Sequence, residues 1–316
     1  MSQSRSSLRL RSYLWMLINT VVWGAAFVFV KPSLSITTPF RFLLYRYILA
    51  VLLSLPILWH YRTYFKKVKS VLKVIIFTEA LGTTFALALL YLGLEKTSAI
   101  EANLLTSTTP ILMTIASIWF LKEKEEKNEA LGLLLAATGS ILLVIIPILI
   151  KGEFLGFTSV IGNMLIFFSM VINVIYLILI KKTYHHLPMF LISSLSFYVG
   201  LISFLFLSIA ESNFSATQLA GAVMTDITHP EVWLAAIYMA FLGSIIGLTA
   251  YYKGQDGIEA SEASLFTYLQ PIIAIPLGIL ILKEHIYSLQ LVAIVIIILG
   301  VLIAETRKRK KHVKRN

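Results

Sequence analysis

Apolar residues in this chain come in long runs, without the strict alternation of a half-buried strand or the single apolar face of a soluble helix. Ten runs stand between charged or turn-rich punctuation, at residues 12–30, 40–59, 71–94, 99–121, 129–150, 157–180, 188–210, 231–252, 260–282 and 289–304. Most hold roughly the 20 apolar residues that a helix needs to cross a bilayer. The pattern predicts an all-α membrane protein of ten transmembrane helices. Most connections are short, which makes neighbouring helices antiparallel, and the longest runs from Glu211 to Pro230.

Composition agrees with lipid as the solvent. Hydrophobic residues make up 58% of the chain and charged residues 14%, against about 45–50% and about 25% in ordinary soluble domains. So little polar surface cannot coat a water-soluble globule of 316 residues, which sets aside most soluble enzymes, nucleic-acid binders and secreted scaffolds. The chain has no cysteine, so disulfides, thiolate nucleophiles and Cys-ligated metals are excluded. Arg5, Arg9 and Arg11 precede the first apolar run as they would in a signal peptide. The internal repeat described below needs that helix, so it is read as an uncleaved first span.

The net charge of +11 changes meaning once it is placed. With the N-terminus in the cytoplasm and the spans alternating, 21 of the 27 Lys and Arg residues fall inside and 4 outside. The remaining two, Arg41 and Arg46, sit within or at the edge of span two. This segregation follows the positive-inside rule and predicts that both termini are cytoplasmic, in a plasma or inner cell membrane. Residues 1–11 are then a cytoplasmic N-terminus. Residues 305–316 form a basic tail that marks orientation and contacts anionic lipid; it is not read as a nucleic-acid site.

The chain also resembles itself. Sliding residues 81–123 by 161 positions onto 242–284, without a gap, gives 16 identities in 43. They include Gly82/Gly243, Tyr91/Tyr252, Gly93/Gly254, Glu101/Glu262, Pro110/Pro271, Lys122/Lys283 and Glu123/Glu284. Chance matches between apolar helices involve Leu and Ile, not Gly, Tyr, Pro and Lys-Glu in register. The reading is two five-helix repeats, 12–150 and 157–304. Five being odd, the second enters the membrane from the opposite side, around a central cavity. Inverted repeats suit alternating access.

With those residues in view, the sequence resembles the EamA family of the drug/metabolite transporter superfamily. The resemblance rests on Trp23-Gly24, the Pro39-Phe40-Arg41 to Tyr45-Arg46-Tyr47 stretch, and Glu101-Ala102…Pro110…Leu121-Lys122-Glu123. Its second copy, Glu262-Ala263…Pro271…Leu282-Lys283-Glu284, completes it. The resemblance implies a solute carrier with a cavity between the halves, more often exporting amino acids or related metabolites than importing them. Ile172-Asn173 departs from it where span one has Trp23-Gly24, and nothing in the second half echoes Arg46.

Ionisable groups inside a bilayer are costly, which makes them the first functional candidates. Glu79 lies about 4–5 Å to the cytoplasmic side of the middle of span three, and Arg46 about 6 Å to the outer side of the middle of span two, by helical rise. The offset of about 10 Å makes a direct salt bridge a stretch. Glu79 is the proton-coupling candidate or, in the plainer reading, a carboxyl held neutral by its neighbours. Arg46 either grips a substrate carboxylate with its fork of donors or snorkels to the surface.

Pro110 and Pro271 each remove an N–H, which leaves the carbonyls of Thr106 and Thr267 without a helical partner. The resulting kinks either line the cavity or are satisfied by hydroxyls. Asn103 and Thr106 share the face of Pro110, and Thr267 that of Pro271, with Tyr268 and Gln270 nearby. Asn19 and Trp23 on span one, and Asn173 and Tyr176 on span six, are further cavity candidates. Tyr91 and Tyr252 are cavity or interfacial-belt residues. Ser98-x-x-Glu101 reads as a capping box. Gly243-x-x-x-Gly247 permits close helix approach at a gating position.

No cofactor or metal site is expected. His185-His186 lacks an acidic partner, and no P-loop, H-E-x-x-H or G-x-S-x-G spacing occurs. The expected partners are a small-molecule solute and the lipid bilayer, with monomer or homodimer left open. The functional expectation is a secondary transporter, proton-coupled or facilitative. A lipid flippase or channel-like pathway is the alternative, and an intramembrane enzyme a more distant one.

Overall fold

The structure is a computed structural model that describes residues 2–116, 120, 130–132, 134–135, 138–139, 142, 157–183, 187–255, 258, 263, 266–284 and 288–305. All described regular structure is helical, with no strand among the described residues. Helix α1 (Ser2–Val30) leads through a 3-10 turn (Ser33–Ser35) into α2 (Pro39–His60). The Thr38 hydroxyl caps α2, accepting the Arg41 N–H, and Pro39 occupies the first turn, where its missing N–H costs nothing. Helix α3 (Phe65–Glu79) passes through a π-helical segment (Ala80–Ala86) into α4 (Leu87–Lys96). Helices α5 (Ala99–Thr106) and α6 (Thr109–Ala116) follow, then α7 (Phe157–Thr183), α8 (Met189–Glu211) and α9 (Ala216–Ile227). Helix α10 (Pro230–Ile237) runs through a second π segment (Tyr238–Ile246) into α11 (Gly247–Gln255). A 3-10 turn (Phe266–Leu269) precedes α12 (Gln270–Leu282), and α13 (Ser288–Glu305) ends the described chain.

Six helical segments are long and apolar enough to cross a membrane: Ser7–Ser35, Pro39–His60, Arg62–Lys96, Val160–Ile180, Met189–Glu211 and Pro230–Gln255. They coincide with six of the predicted runs. The predicted run 99–121 begins as two eight-residue helices, α5 and α6. The runs 260–282 and 289–304 coincide with the shorter apolar helices Phe266–Leu282 and Leu291–Gly300. Most of 129–150, and Lys122, Glu123, His185, His186, Glu262 and the tail from 306, lie outside the described residues.

Burial is inverted relative to a soluble protein. Phe77 is 70% exposed while Glu79, two residues on, is 0% exposed. Trp59, Ile202, Leu234 and Leu280 also face outward, whereas Asn19, Asn103 and Asp226 are buried. Only an apolar solvent makes that arrangement favourable.

Helices that follow residue 157 pack directly onto those that precede it. Helix α4 crosses α7, α2 lies along α8, and α1 runs against both α11 and α12. Small residues set these distances. A Cβ on Gly93 would stand 2.6 Å from the Gly162 carbonyl oxygen, and one on Gly162 would stand 2.9 Å from the Gly93 oxygen. In the α2–α8 contact, the Tyr47 ring covers Gly200 and stacks on Phe204 with centroids 5.6 Å apart.

Helix α9 is the main departure from the expected loops, lying in the connection from Glu211 to Pro230. Its first-turn cap is the Ser215 hydroxyl, and near its other end it carries buried Asp226. Asp226 Oδ2 accepts hydrogen bonds from Thr37 Oγ1 (2.6 Å), Tyr45 OH (2.7 Å) and Arg41 Nε (2.9 Å). One carboxylate thereby pins α9 to the start of α2. Removing it leaves a largely buried guanidinium and two hydroxyls without their acceptor. Asp226→Ala is therefore expected to cost about 3 kcal/mol of stability, read as a lower melting temperature in detergent. An unchanged melting temperature would show that the cluster holds nothing.

Candidate functional site

Among the described residues, two polar clusters are built around the ionisable groups Glu79 and Arg46. The first centres on Glu79, where α3 enters its π segment. A π turn interrupts the regular i→i−4 ladder and is frequent at functional sites. Glu79 Oε2 accepts from Ser196 Oγ of α8 (2.6 Å), Tyr176 OH of α7 (2.8 Å) and Thr83 Oγ1 (3.1 Å). Tyr176 reaches it by lying across Gly82, where a Cβ would stand 2.3 Å from ring carbons. Gly82 is therefore part of the site, because any side chain there would displace the phenol from the carboxylate.

The second cluster centres on Arg46 of α2. Its Nη1 donates to Tyr91 OH (3.2 Å) and its Nη2 to Ser244 Oγ (3.3 Å). Ser244 can accept because its own hydroxyl proton goes to the Met239 carbonyl (2.9 Å), five residues back in the second π segment. The guanidinium carbon sits 5.4 Å from the Tyr47 ring centre. Arg46 Nε is shielded and has no hydrogen-bond partner. Among the described residues its side-chain neighbours are phenols and a hydroxyl. Tyr47 lies in the electrostatic field of both Arg46 and Glu79.

A small crevice touches the Arg46 cluster through Ser244 and carries Ser193, one helical turn before Ser196 of the Glu79 cluster. It is lined by Ile57, Phe190, Ser193, Ser194, Phe197, Ser244, Ile245, Leu248 and Thr249, and holds space for about one water molecule. Ser244 bridges it to Arg46. Ser193, one turn from Ser196, exchanges a 2.7 Å hydrogen bond with Tyr252. A guanidinium reached through such a crevice can hold a carboxylate, and a separately caged buried carboxylate can hold an ammonium.

The other candidates from the sequence have different surroundings. Asn19 Nδ2 donates to the Gly247 carbonyl and Trp23 Nε1 to the Gly243 carbonyl, both at 3.0 Å. They sew α1 to the second π segment, and Trp23 stacks on Tyr251 with centroids 5.6 Å apart. A Cβ on Gly247 would stand 2.4 Å from Trp23 Nε1, so this glycine permits close helix approach. Gly243 is less crowded, its nearest neighbour being the Met239 side chain at 3.3 Å. Asn103 Nδ2 donates to the Gly24 carbonyl at 3.2 Å, and its buried Oδ1 has no partner. Thr106 Oγ1 turns back onto the carbonyls of Ala102 and Asn103.

Both prolines mark helix breaks. Pro110 lies in the first turn of α6, and Thr109 Oγ1 donates at 2.6 Å to the Thr106 carbonyl that the proline leaves open. A neighbouring hydroxyl thus satisfies that carbonyl. Pro271 lies in the first turn of α12, after the 3-10 turn. Tyr268 is buried among Ile100, Leu104, Ile275, Ala293 and Ile297, and its hydroxyl has no partner. Gln270 is buried, with its main-chain oxygen against Gly24. Asn173 and Thr267 are partly exposed and stand outside the two clusters. Ser98 Oγ accepts the Glu101 N–H, one half of the expected capping box.

Sequence reasoning missed Ser196, Thr83, Ser244 and Tyr47. Serines and threonines are common in membrane helices, and nothing in their spacing marked these. Among the described residues no cluster of three or more His, Asp or Glu side chains could hold a metal ion.

The EamA-like transporter family matches residues 10–146 and 160–306. The chain belongs to this family. It is a multi-pass integral membrane protein of a transporter family. Among curated relatives it is 29% identical over 228 residues to the uncharacterized transporter YetK of Bacillus subtilis (strain 168), covering 72% of this chain and 65% of that one. It is 33% identical over 130 residues to an uncharacterized transporter of Archaeoglobus fulgidus, covering 40% of this chain and 38% of that one. The matched stretch therefore spans less than two thirds of either relative. One solved crystal structure of a protein, 15% identical, covers 95% of this chain and 96% of its own with a TM-score of 0.62, a likeness of fold.

Proposed function

We propose that this EamA-like protein is a secondary transporter that moves small organic solutes by alternating access. Amino acids or related metabolites are the favoured cargo and export the favoured direction, either proton-coupled through Glu79 or facilitative. The observation that carries this reading is the pair of separately caged ionisable groups, Glu79 among three hydroxyls and Arg46 between Tyr91 and the crevice-lining Ser244. Each group keeps its own hydroxyl partners, and a zwitterionic solute would meet an opposite charge at each.

The ten-helix, inverted-repeat architecture belongs to the same proposal. Shifted by 161 residues, the first π segment (Ala80–Ala86) overlaps the second (Tyr238–Ile246), and the break at Pro110 falls on that at Pro271. The packing of α4 on α7 has its counterpart in that of α11 on α1. The family match divides between 146 and 160, near the proposed boundary. These correspondences support repeats at 12–150 and 157–304, with cytoplasmic termini assigned by the charge asymmetry. On this reading the crevice, with room for about one water, belongs to a closed or nearly closed form.

The test is a solute panel in proteoliposomes, with and without an imposed pH gradient and with labelled lipid alongside. Saturable uptake of at least one small solute is expected. Lipid movement without solute uptake would point to a flippase, and no saturating solute would overturn the proposal.

A further inference from the structure

Residue Glu284 stands outside both clusters, yet it joins the ends of two helices far apart in sequence. Helix α12 ends at Leu282. Lys283 adopts a left-handed conformation (φ 56°), and the Glu284 N–H returns to the Gly278 carbonyl at 3.2 Å. This tight stop fixes where the Glu284 side chain leaves the backbone. Its two oxygens then take two different amides: Oε1 accepts the Ala99 N–H (2.8 Å) and Oε2 the Ile100 N–H (3.0 Å). These are the first two amides of α5, which no intrahelical carbonyl can satisfy. The third goes to Ser98 Oγ. The start of α5 is thus capped jointly by its own serine and by a carboxylate from about 185 residues away.

The surrounding contacts are equally close. A Cβ on Gly278 would stand 2.7 Å from Ile100 Cγ1, so α12 and α5 touch at this point. At the same end of the bundle, Lys31 Nζ donates to the carbonyls of Leu94 (2.7 Å) and Glu95 (2.9 Å), closing the end of α4. Lys31 lies in the field of Glu284, Glu95 and Glu101. The crevice lies toward the other end. Lys31 and the start of α2 share one end, and Ile57, which lines the crevice, is 18 residues along α2 from Pro39, about 27 Å by helical rise.

We propose that Glu284 is the clamp that holds one end of the transport path shut, by capping α5 across the junction of the two repeats. This rests on the alternating-access reading. Opening that end would draw α12 away from α5, and the clamp would release as both helix ends become hydrated. Charge-assisted hydrogen bonds to two amides that start a helix are strong enough to bias the equilibrium and remain reversible.

The native chain lacks cysteine, so Thr249→Cys in the crevice supplies a single thiol. An impermeant thiol reagent is applied in turn to each face of reconstituted vesicles. In the parent, labelling from the Glu284 face is expected to be slow. Glu284→Ala is expected to speed it about tenfold, a shift of ~1.4 kcal/mol, and to slow labelling from the opposite face. Glu284→Gln, which keeps one acceptor, should give about a threefold change, or ~0.65 kcal/mol. It carries the test if the alanine variant does not fold. Glu231→Gln, an exposed carboxylate in the first turn of α10, controls for the loss of charge alone and should change neither rate. Rates from the Glu284 face that stay within about twofold of the parent in a folded variant, with solute uptake saturable, would overturn the clamp alone. Absence of saturable uptake in the native protein would overturn the transport reading beneath it.

Discussion

Glu79→Gln is expected to give a folded protein whose solute transport falls about 100-fold. The amide is nearly isosteric and its carbonyl oxygen still accepts from the hydroxyls of Ser196 and Tyr176, so the cage around it should persist. What disappears is the negative charge and the place for a proton. An interaction between a buried carboxylate and a substrate cation contributes about 2–3 kcal/mol, which is the stated loss in rate at limiting solute. If Glu79 also carries the coupling proton, the residual rate loses its dependence on the imposed pH gradient. Uptake of the panel's best solute, measured beside a melting curve, separates the two effects. Native rate and native pH dependence in the variant would remove Glu79 from the site.

A large loss of stability is expected at Gly93. A methyl group there would meet the Gly162 carbonyl oxygen and Ile166 Cγ1, both at 2.6 Å. The oxygen belongs to the backbone of α7 and cannot rotate away, so α4 and α7 must separate. Gly93→Ala is therefore expected to cost about 3 kcal/mol, the upper end for overpacking, and Gly93→Leu to prevent recovery of folded protein. Its repeat partner Gly254 is the contrast. A Cβ there would stand 2.3 Å from Met16 Sδ and 2.7 Å from Met16 Cγ, atoms of a flexible side chain that can turn aside more readily than a backbone carbonyl. Gly254→Ala should cost about 1 kcal/mol or less. Melting temperatures of the two alanine variants in one detergent decide it; equal losses would show that the backbone contact is not what matters.

How much of this was legible in the sequence follows from the range of the forces involved. Continuous apolar runs and their charged ends are local, and six of them reappear as Ser7–Ser35, Pro39–His60, Arg62–Lys96, Val160–Ile180, Met189–Glu211 and Pro230–Gln255. The helix breaks at Pro110 and Pro271 were legible for the same reason, since a missing N–H acts within one turn. Glu79, Tyr176 and Arg46 stood out as ionisable or phenolic groups among apolar neighbours. Their partners did not, because Ser196 lies 117 residues from Glu79, and Ser244 lies 198 from Arg46. Pairing over that distance is decided by helix packing, which a single sequence does not encode visibly. The same holds for Asn19 and Trp23, whose roles depend on the carbonyls of the second π segment. Helix α9 was hidden in another way: its twelve residues are too short and too mixed to read as a span, and only the caged Asp226 shows what fixes it.

The central claim is that Glu79 and Arg46 flank a path taken by a solute in a carrier cycle. Counterflow tests it most directly. Vesicles are loaded with a high concentration of the panel's best unlabelled solute, and entry of external labelled solute is followed over time. The predicted result is transient accumulation above equilibrium that saturates with external solute and is lost in Glu79→Gln. Entry that rises linearly with concentration, never exceeds equilibrium and is unchanged in the variant would contradict it.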